Sequence, residues 1–304
     1  MKLDLLYDKL KNFISEERIK QNEPMKNHTS FHIGGPADIL VLPQDAEEIK
    51  RIITCCKDEG VPFFVMGNGT NLLVRDKGIR GVVIKLAQNF NDIQITKNII
   101  KCKAGMAVSV AVRAALENSL SGLEFASGIP GTVGGAVVMN AGAFGGEMAD
   151  VVKKVNVLDL EGNIFEMSKD ELGYSYRNSV LQKGDKILLD VEMELTPGNR
   201  DEIKAKMEDY ISRRKQKQPL NLPSAGSAFK RPPGNYAGYL IEKAGLKGYR
   251  IGGAMVSDLH AGFIVNIDNA TCEDVLKLIK HIQKEVKDKF NIDLEPEIKI
   301  QGES

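Results

Sequence analysis

Two glycine-rich segments are where residue type and spacing in this 304-residue chain point most directly to chemistry. The first, Gly67-Asn68-Gly69-Thr70-Asn71, follows an apolar run and is closed by Leu72. Glycine admits positive φ and lets a backbone approach a ligand closely, and successive N–H groups in such a turn form an anion-binding concavity. Ordinary tight turns use the same residues. No Gly-Lys-Ser/Thr follows, so it is not a Walker A loop, and no G-x-G-x-x-G opens a helix, so it is not a dinucleotide fingerprint. The second segment places Gly128, Gly131, Gly134, Gly135, Gly142, Gly145 and Gly146 among Ala, Val and Met. A flexible linker would be polar. This stretch is apolar and reads as backbone wrapped around a large, partly apolar ligand, with Asn140 and main-chain amides as polar contacts. Close helix packing is the alternative. Two such loops favour a nucleotide-type cofactor whose pyrophosphate is held without lysine.

Other residues are less specific alone. Arg177 lies in Tyr174-Ser175-Tyr176-Arg177-Asn178-Ser179, a short polar loop. A guanidinium stays charged and can clamp a carboxylate with two parallel hydrogen bonds, yet an ordinary surface arginine fits equally well. Ser227 sits between small residues ahead of Lys230 and Arg231, outside any nucleophile-elbow pattern, which argues against a hydrolase serine. Glu295 and Glu297 flank Pro296 in what reads as a terminal strand. Alternation would put both carboxylates on one face, so spacing does not choose between them. Arg213-Arg214-Lys215-Gln216-Lys217 is the densest basic run. It suits a solvated helix end or an anion contact.

The elements that must position these residues read as α+β. An amphipathic helix is expected over 3–20. A β-α-β unit follows, with strand 37–42, helix 45–59 carrying the stripe Ile49, Ile52, Ile53 and Cys56, and strand 61–66; it predicts a parallel pair. Strands are expected at 82–86, 98–104, 151–160, 162–167 and 186–195, with an alanine-rich helix at 107–120. Ser168-x-x-Glu171 is a capping-box signature. A charged helix over 200–217 turns Ile203, Met207, Tyr210 and Ile211 to one side. Pro219, Pro223, Pro232 and Pro233 then mark a boundary. The last third predicts a helix at 237–244, a strand at 262–266 and a long helix capped by Thr271, with Val275, Leu278, Ile279, Ile282 and Val286 inward.

Composition excludes several classes. The 41 basic and 41 acidic residues cancel, leaving no global case for nucleic acid or an anionic membrane. Four cysteines without C-x-x-C, and four histidines, argue against a disulfide framework and a metal cluster, and fit a reducing compartment. The N-terminus has no signal-peptide core and no run spans a bilayer. The expectation is a soluble cytoplasmic monomer acting on a small molecule.

The glycine segments also carry a family resemblance. GNGTNLLV and GIPGTVGGAVVMNAGAFGGE resemble the flavin-binding core of UDP-N-acetylenolpyruvoylglucosamine reductases. The likeness continues, in order, through TSFHIGGPAD (29–38), GYSYRNS (173–179), PSAGSAFKRP (223–232), GLKGYRIGGAMVS (245–257), HAGFIVN (260–266) and EPEIKIQG (295–302). It implies a two-subdomain FAD-binding fold of the vanillyl-alcohol-oxidase (PCMH) type with a C-terminal α+β substrate domain. The corresponding division is 1–86 joined by strand 295–302, then 87–200, then 201–294. The resemblance further implies FAD held by Gly67, Asn68, Gly69, Thr70, Asn71, Leu72, Gly128, Gly131, Thr132, Gly134, Gly135, Asn140 and Gly142, and NADPH as reductant. The substrate would be UDP-N-acetylglucosamine enolpyruvate, contacted by Tyr176, Lys217, Lys230, Tyr239 and His260. Hydride would reach the terminal enolpyruvyl carbon. Arg177 and Glu297 would stabilise the enolate, and Ser227 would donate the proton. The spacing between Leu181 and the helix at 200 resembles the shorter branch, without an inserted tyrosine loop. A flavin oxidase of the same fold and a non-catalytic nucleotide-binding module are the competing readings; the first lacks a covalent-flavin His or Cys, and the second leaves Ser227 and Glu297 unexplained.

Overall fold

A computed structural model describes residues 2–304. Its helices are α1 (Lys2–Lys11), α2 (Ala46–Glu59), α3 (Val108–Glu117), α4 (Val133–Val138), α5 (Met148–Val151), α6 (Arg200–Lys217), α7 (Ala237–Lys243) and α8 (Cys272–Phe290). The chain divides into two compact units. The first comprises 1–20, 39–68 and 81–214; the second comprises 21–38, 69–80 and 215–304.

Two larger sheets draw most of their residues from the first unit. Phe63–Met66 runs parallel to Ile79–Lys85, Phe63 opposite Val82. The strand order is Ile19–Pro24, Pro36–Val41, Ile79–Lys85, Phe63–Met66. The parallel pair is therefore not the two strands that flank α2, because Ile79–Lys85 stands between them. Helix α2 begins where the Asp45 carboxylate accepts the Glu48 N–H at 2.8 Å and ends at Gly60 with φ 61°, the left-handed stop glycine favours. Its stripe of Ile49, Ile52, Ile53 and Cys56 is buried as the spacing predicts.

The second sheet is antiparallel, in the order Ile164–Ser168, Val152–Asp159, Lys186–Glu194, Ile99–Lys103, Ile93–Thr96. Alternate residues of Lys186–Glu194, such as Leu189, Val191 and Met193, enter the core, while Asp190 and Glu192 face Lys101 and Lys154. Helix α1 is shorter than the amphipathic pattern over 3–20 suggested. It stops at Lys11, and a strand starts at Ile19. Leu6, Leu10 and Ile14 are all buried, so the four-residue apolar spacing outlasts the helix. Arg18 instead reaches Glu48 with bonds of 2.7 and 2.8 Å.

The second unit is built on an antiparallel sheet in the order Ser224–Ser227, Phe263–Asn266, Ala254–Val256, Arg250–Ile251. Helix α8 packs its buried stripe, Val275, Leu278, Ile279, Ile282 and Val286, into the same apolar cluster as Leu240, Ile241, Val256 and Ile264. Its start is a full capping box: Thr271 Oγ1 accepts the Asp274 N–H, and the Asp274 carboxylate accepts the Thr271 N–H. Lys299–Gln301 runs parallel to Leu72–Val74, so the chain terminus is a strand partner of the segment just after the first glycine loop. That terminal strand is only three residues long. Glu295 and Glu297 lie before it, so strand alternation does not govern them.

Candidate active site

Gly67, Asn68 and the second glycine segment, all in the first unit, are locked by their own backbone. Thr132 Oγ1 caps α4 by accepting the Gly135 N–H at 3.2 Å. A Cβ on Gly67 would lie 2.3 Å from that hydroxyl, so only glycine lets the two loops meet. The Gly134 N–H is spent on the Ala104 carbonyl at 2.9 Å, and the Val133 N–H on Met106 at 2.7 Å. Gly134 and Gly135 thus build the loop rather than offer donors. The amides of Gly67, Asn68, Gly69, Gly128, Gly131 and Thr132 make no hydrogen bond among the described residues. Asn140 is fully buried. Its side chain donates to the Ser175 carbonyl at 3.1 Å and accepts the Ala149 N–H at 2.9 Å. It therefore ties the glycine segment to the Arg177 loop.

Arg177 has a left-handed backbone, φ 54°. Its guanidinium donates to the carbonyls of Gly142 at 3.0 Å and Asn140 at 3.5 Å, and lies over the Tyr176 ring. Gln182 and Ser179 brace this loop through the Arg177 and Val138 carbonyls. Tyr176 itself is half exposed.

Sequence reasoning passed over one residue, Arg214. Its side chain is only 9% exposed, and its Nε has no hydrogen-bond partner. Burial, and next the charge of nearby Arg177, hold its guanidinium pKa below the ordinary value. It sits over the Phe144 ring, which stacks on Tyr210 at 4.2 Å. A Cβ on Gly128 would come within 2.9 Å of Arg214 Cδ. The signal was present in helical phase: Ile203, Met207, Tyr210 and Arg214 follow 4-3-4 spacing, one stripe of α6. Arg213, off that stripe, is exposed and paired with Asp209. Among the described residues the orphaned buried side-chain atoms are Ser127 Oγ, Tyr174 Oη and Arg214 Nε. All three belong to the first unit, next to the second glycine loop, the Arg177 loop and α6. Unsatisfied buried groups are costly, so their clustering beside open amides fits a large polar-apolar ligand such as FAD.

In the second unit Ser227 and Glu297 share one segment of backbone pairing. The Glu297 N–H donates to the Ala228 carbonyl at 2.9 Å, and Phe229 bridges Pro296. Ser227 Oγ donates to the Phe229 carbonyl at 3.1 Å, and Ser227 pairs with Phe263 across the sheet. The structure separates the two glutamates that spacing left equal. Glu295 is exposed and receives Lys230 Nζ at 2.5 Å; Glu297 is half-buried, with Asn71 Nδ2 donating to its carbonyl at 3.2 Å. Lys230 would have to leave Glu295 to meet a phosphate. Tyr239 is exposed on α7 beside Lys243. Lys217 lies within electrostatic range of His260. A cavity of about 510 Å³ on this unit, lined by Lys26, His32 and Asp268 among others, contains none of the expected site residues.

The chain is similar to known proteins. The FAD binding domain family matches residues 37–168, and the C-terminal domain of UDP-N-acetylenolpyruvoylglucosamine reductase matches 218–301. The UDP-N-acetylenolpyruvoylglucosamine reductase of Caldanaerobacter subterraneus subsp. tengcongensis is 57% identical over 300 residues, covering 99% of both chains. The chain belongs to the UDP-N-acetylenolpyruvoylglucosamine reductase family. The crystal structure of that reductase from Thermus caldophilus superposes with a TM-score of 0.79 at 39% identity, covering 93% of this chain and 97% of that one. A Phl p 4 variant, a glucose oxidase, shares the fold alone, at 14% identity and a TM-score of 0.52, over 75% of this chain and 53% of its own. The fold is accordingly α+β, a flavin-binding fold of the vanillyl-alcohol-oxidase type with a C-terminal α+β domain. The reductase family makes this chain an FAD-dependent oxidoreductase of peptidoglycan synthesis. Among the described residues no helix is long and apolar enough to cross a membrane, and no group of three His, Cys, Asp or Glu side chains could hold a metal.

Proposed function

We propose that this enzyme uses NADPH to reduce the enolpyruvyl ether of UDP-N-acetylglucosamine to UDP-N-acetylmuramate, as a cytoplasmic monomer. Segments 1–86 and 87–200 serve the cofactor and 201–294 the substrate. FAD, when bound, carries hydride from NADPH to the terminal enolpyruvyl carbon. The open amides of Gly67, Asn68, Gly69, Gly128, Gly131 and Thr132, with Thr70, Asn71, Leu72 and Gly142, would hold it. Gly134, Gly135 and Asn140 hold the shape of the second loop.

The chain's own part is charge and proton. Arg177, with Arg214 beside it, holds the substrate carboxylate and the negative charge that develops there, because two guanidiniums in one low-dielectric place favour an anion. Glu297 braces the same enolic group. Ser227 Oγ gives its proton to the carbon next to the carboxylate, and Arg231 stabilises the alkoxide left behind. Lys217 and, on release from Glu295, Lys230 meet the diphosphate. Tyr176, Tyr239 and His260 line the sugar–nucleotide part. The observation that carries this reading is the Glu297 N–H bond to the Ala228 carbonyl, which brings the carboxylate's segment alongside the serine's.

The test is anaerobic. NADPH should bleach the yellow holoenzyme, and the enolpyruvyl substrate should restore the colour far faster than air does. A protein without flavin, or one reoxidised fastest by oxygen, contradicts the reading and favours a binding module or an oxidase respectively.

A further inference from the structure

Asn68-Gly69 is the only place in the 304 residues where glycine follows asparagine. In such a pair the glycine nitrogen can attack the asparagine side-chain carbonyl, because no Cβ stops the backbone from swinging toward it. Attack has two further conditions. The nitrogen must not be engaged as a hydrogen-bond donor, and the side-chain amide must not be held by other groups. Gly69 meets the first: its N–H makes no hydrogen bond among the described residues, while its carbonyl accepts the Ser30 N–H at 3.3 Å. Asn68 meets the second: its side chain makes no hydrogen bond among the described residues and is only half-buried, so water reaches it.

Other asparagines that precede small residues are protected. Asn140, before Ala141, is fully buried and bonded to Ser175 and Ala149, and the Ala141 N–H donates to the Ala136 carbonyl at 2.8 Å. Asn118 donates to the Ala114 carbonyl at 2.9 Å, and the N–H of Ser119 after it donates to Leu116 at 3.1 Å. Asn269 precedes Ala270, whose N–H donates to Asn266 Oδ1 at 2.9 Å. Asn71, three residues beyond Asn68, is followed by the bulky Leu72, and its Nδ2 donates to the Glu297 carbonyl at 3.2 Å.

We propose that Asn68 is a self-modification site: in the flavin-free enzyme it deamidates through Gly69, and bound FAD prevents this. The Gly69 nitrogen gives its proton to water and bonds to Asn68 Cγ. The bond from Cγ to the side-chain nitrogen breaks, and that nitrogen leaves as ammonia after taking a proton from water. The five-membered cyclic imide left behind adds one water at either carbonyl. The product is aspartate or, with the backbone rerouted through the side chain, isoaspartate. No electrons are transferred. Either product puts a carboxylate in a loop that must accept an anionic cofactor, and like charges side by side disfavour binding. Isoaspartate also lengthens the backbone between Gly67 and Gly69. The inference rests on the reading that this loop holds FAD. A cofactor that accepts the Gly69 N–H keeps that nitrogen from attacking, so an enzyme that has lost its flavin steadily loses the ability to regain it.

The test stores FAD-loaded enzyme, FAD-stripped enzyme and the urea-unfolded chain at mildly alkaline pH, until the unfolded chain is converted. Mass spectrometry then follows the tryptic fragment 58–75, which carries both Asn68 and Asn71. The stripped enzyme should gain the mass difference between an amide and an acid at Asn68, ahead of Asn71, and should lose FAD-rebinding capacity in step. The loaded enzyme should stay unchanged. Asn68→Gln would have to close a six-membered ring, so its mass and its capacity to rebind FAD should not change on storage. Asn68→Asp, which makes one product directly, should bind FAD at least about tenfold more weakly. An unmodified Asn68 in the stripped enzyme, equal conversion with and without FAD, or conversion no faster than at Asn71 overturns the inference. An Asn68→Asp enzyme that binds FAD as the parent does overturns instead the reading that this loop holds the cofactor.

Discussion

Arg214 carries a positive charge that no carboxylate among the described residues neutralises, within reach of a second guanidinium. An unpaired buried charge costs stability, so its retention points to a ligand. Arg214→Met keeps the aliphatic packing over Gly128 and Phe144. The ligand-free protein should be as stable to denaturant as the parent, or more stable by about 1 kcal/mol. Its kcat/KM for the enolpyruvyl substrate should fall about 10- to 100-fold, the loss of a charge-assisted hydrogen bond. A structural arginine would give the opposite pattern, lost stability with kinetics intact. Residue types alone pointed to Arg177, Ser227 and Glu297 only through the family likeness. Arg214 was hidden because Arg213, beside it in sequence, has the same side chain; helical phase separates them. The glutamate pair could not be separated by alternation, because residues 295–297 precede the terminal strand.

The helices with strong local signals formed as their residues dictate. Helix α8 has both halves of its capping box and a continuous apolar stripe. Thr271→Ala removes the acceptor for the Asp274 N–H, and denaturant unfolding should register a loss of about 1 kcal/mol. Flavin content should not change. A loss near zero would mean that solvent satisfies that amide equally well. Ser168-x-x-Glu171 formed only the return half of a capping box: the serine N–H and hydroxyl both donate to Glu171 at 2.8 and 2.7 Å, no side chain caps the helix start, and only a short 3-10 turn follows at Asp170–Leu172. Pattern failed where a buried residue kept helical phase without a helix, as Ile14 does. It also failed where strand order mattered, since nothing in two apolar runs says that a third will pair between them.

The whole chain was legible as α+β because its apolar periods change clearly between 2 and 3.6 residues and because its motifs occur in one order. Its division into two discontinuous units was not. Residues 21–38 and 69–80 belong with the C-terminal third, and only backbone pairing such as Lys299–Gln301 on Leu72–Val74 reveals such a return. The proposed chemistry separates two tasks, accepting electrons from NADPH and delivering a proton to the substrate from Ser227. Rapid-mixing absorbance on the FAD-loaded Ser227→Ala enzyme resolves the two in time. Bleaching by NADPH should proceed at the parent rate, while reoxidation by the enolpyruvyl substrate should slow by about 10²- to 10⁴-fold, the usual range for a lost general acid. Reoxidation at the parent rate would contradict the claim.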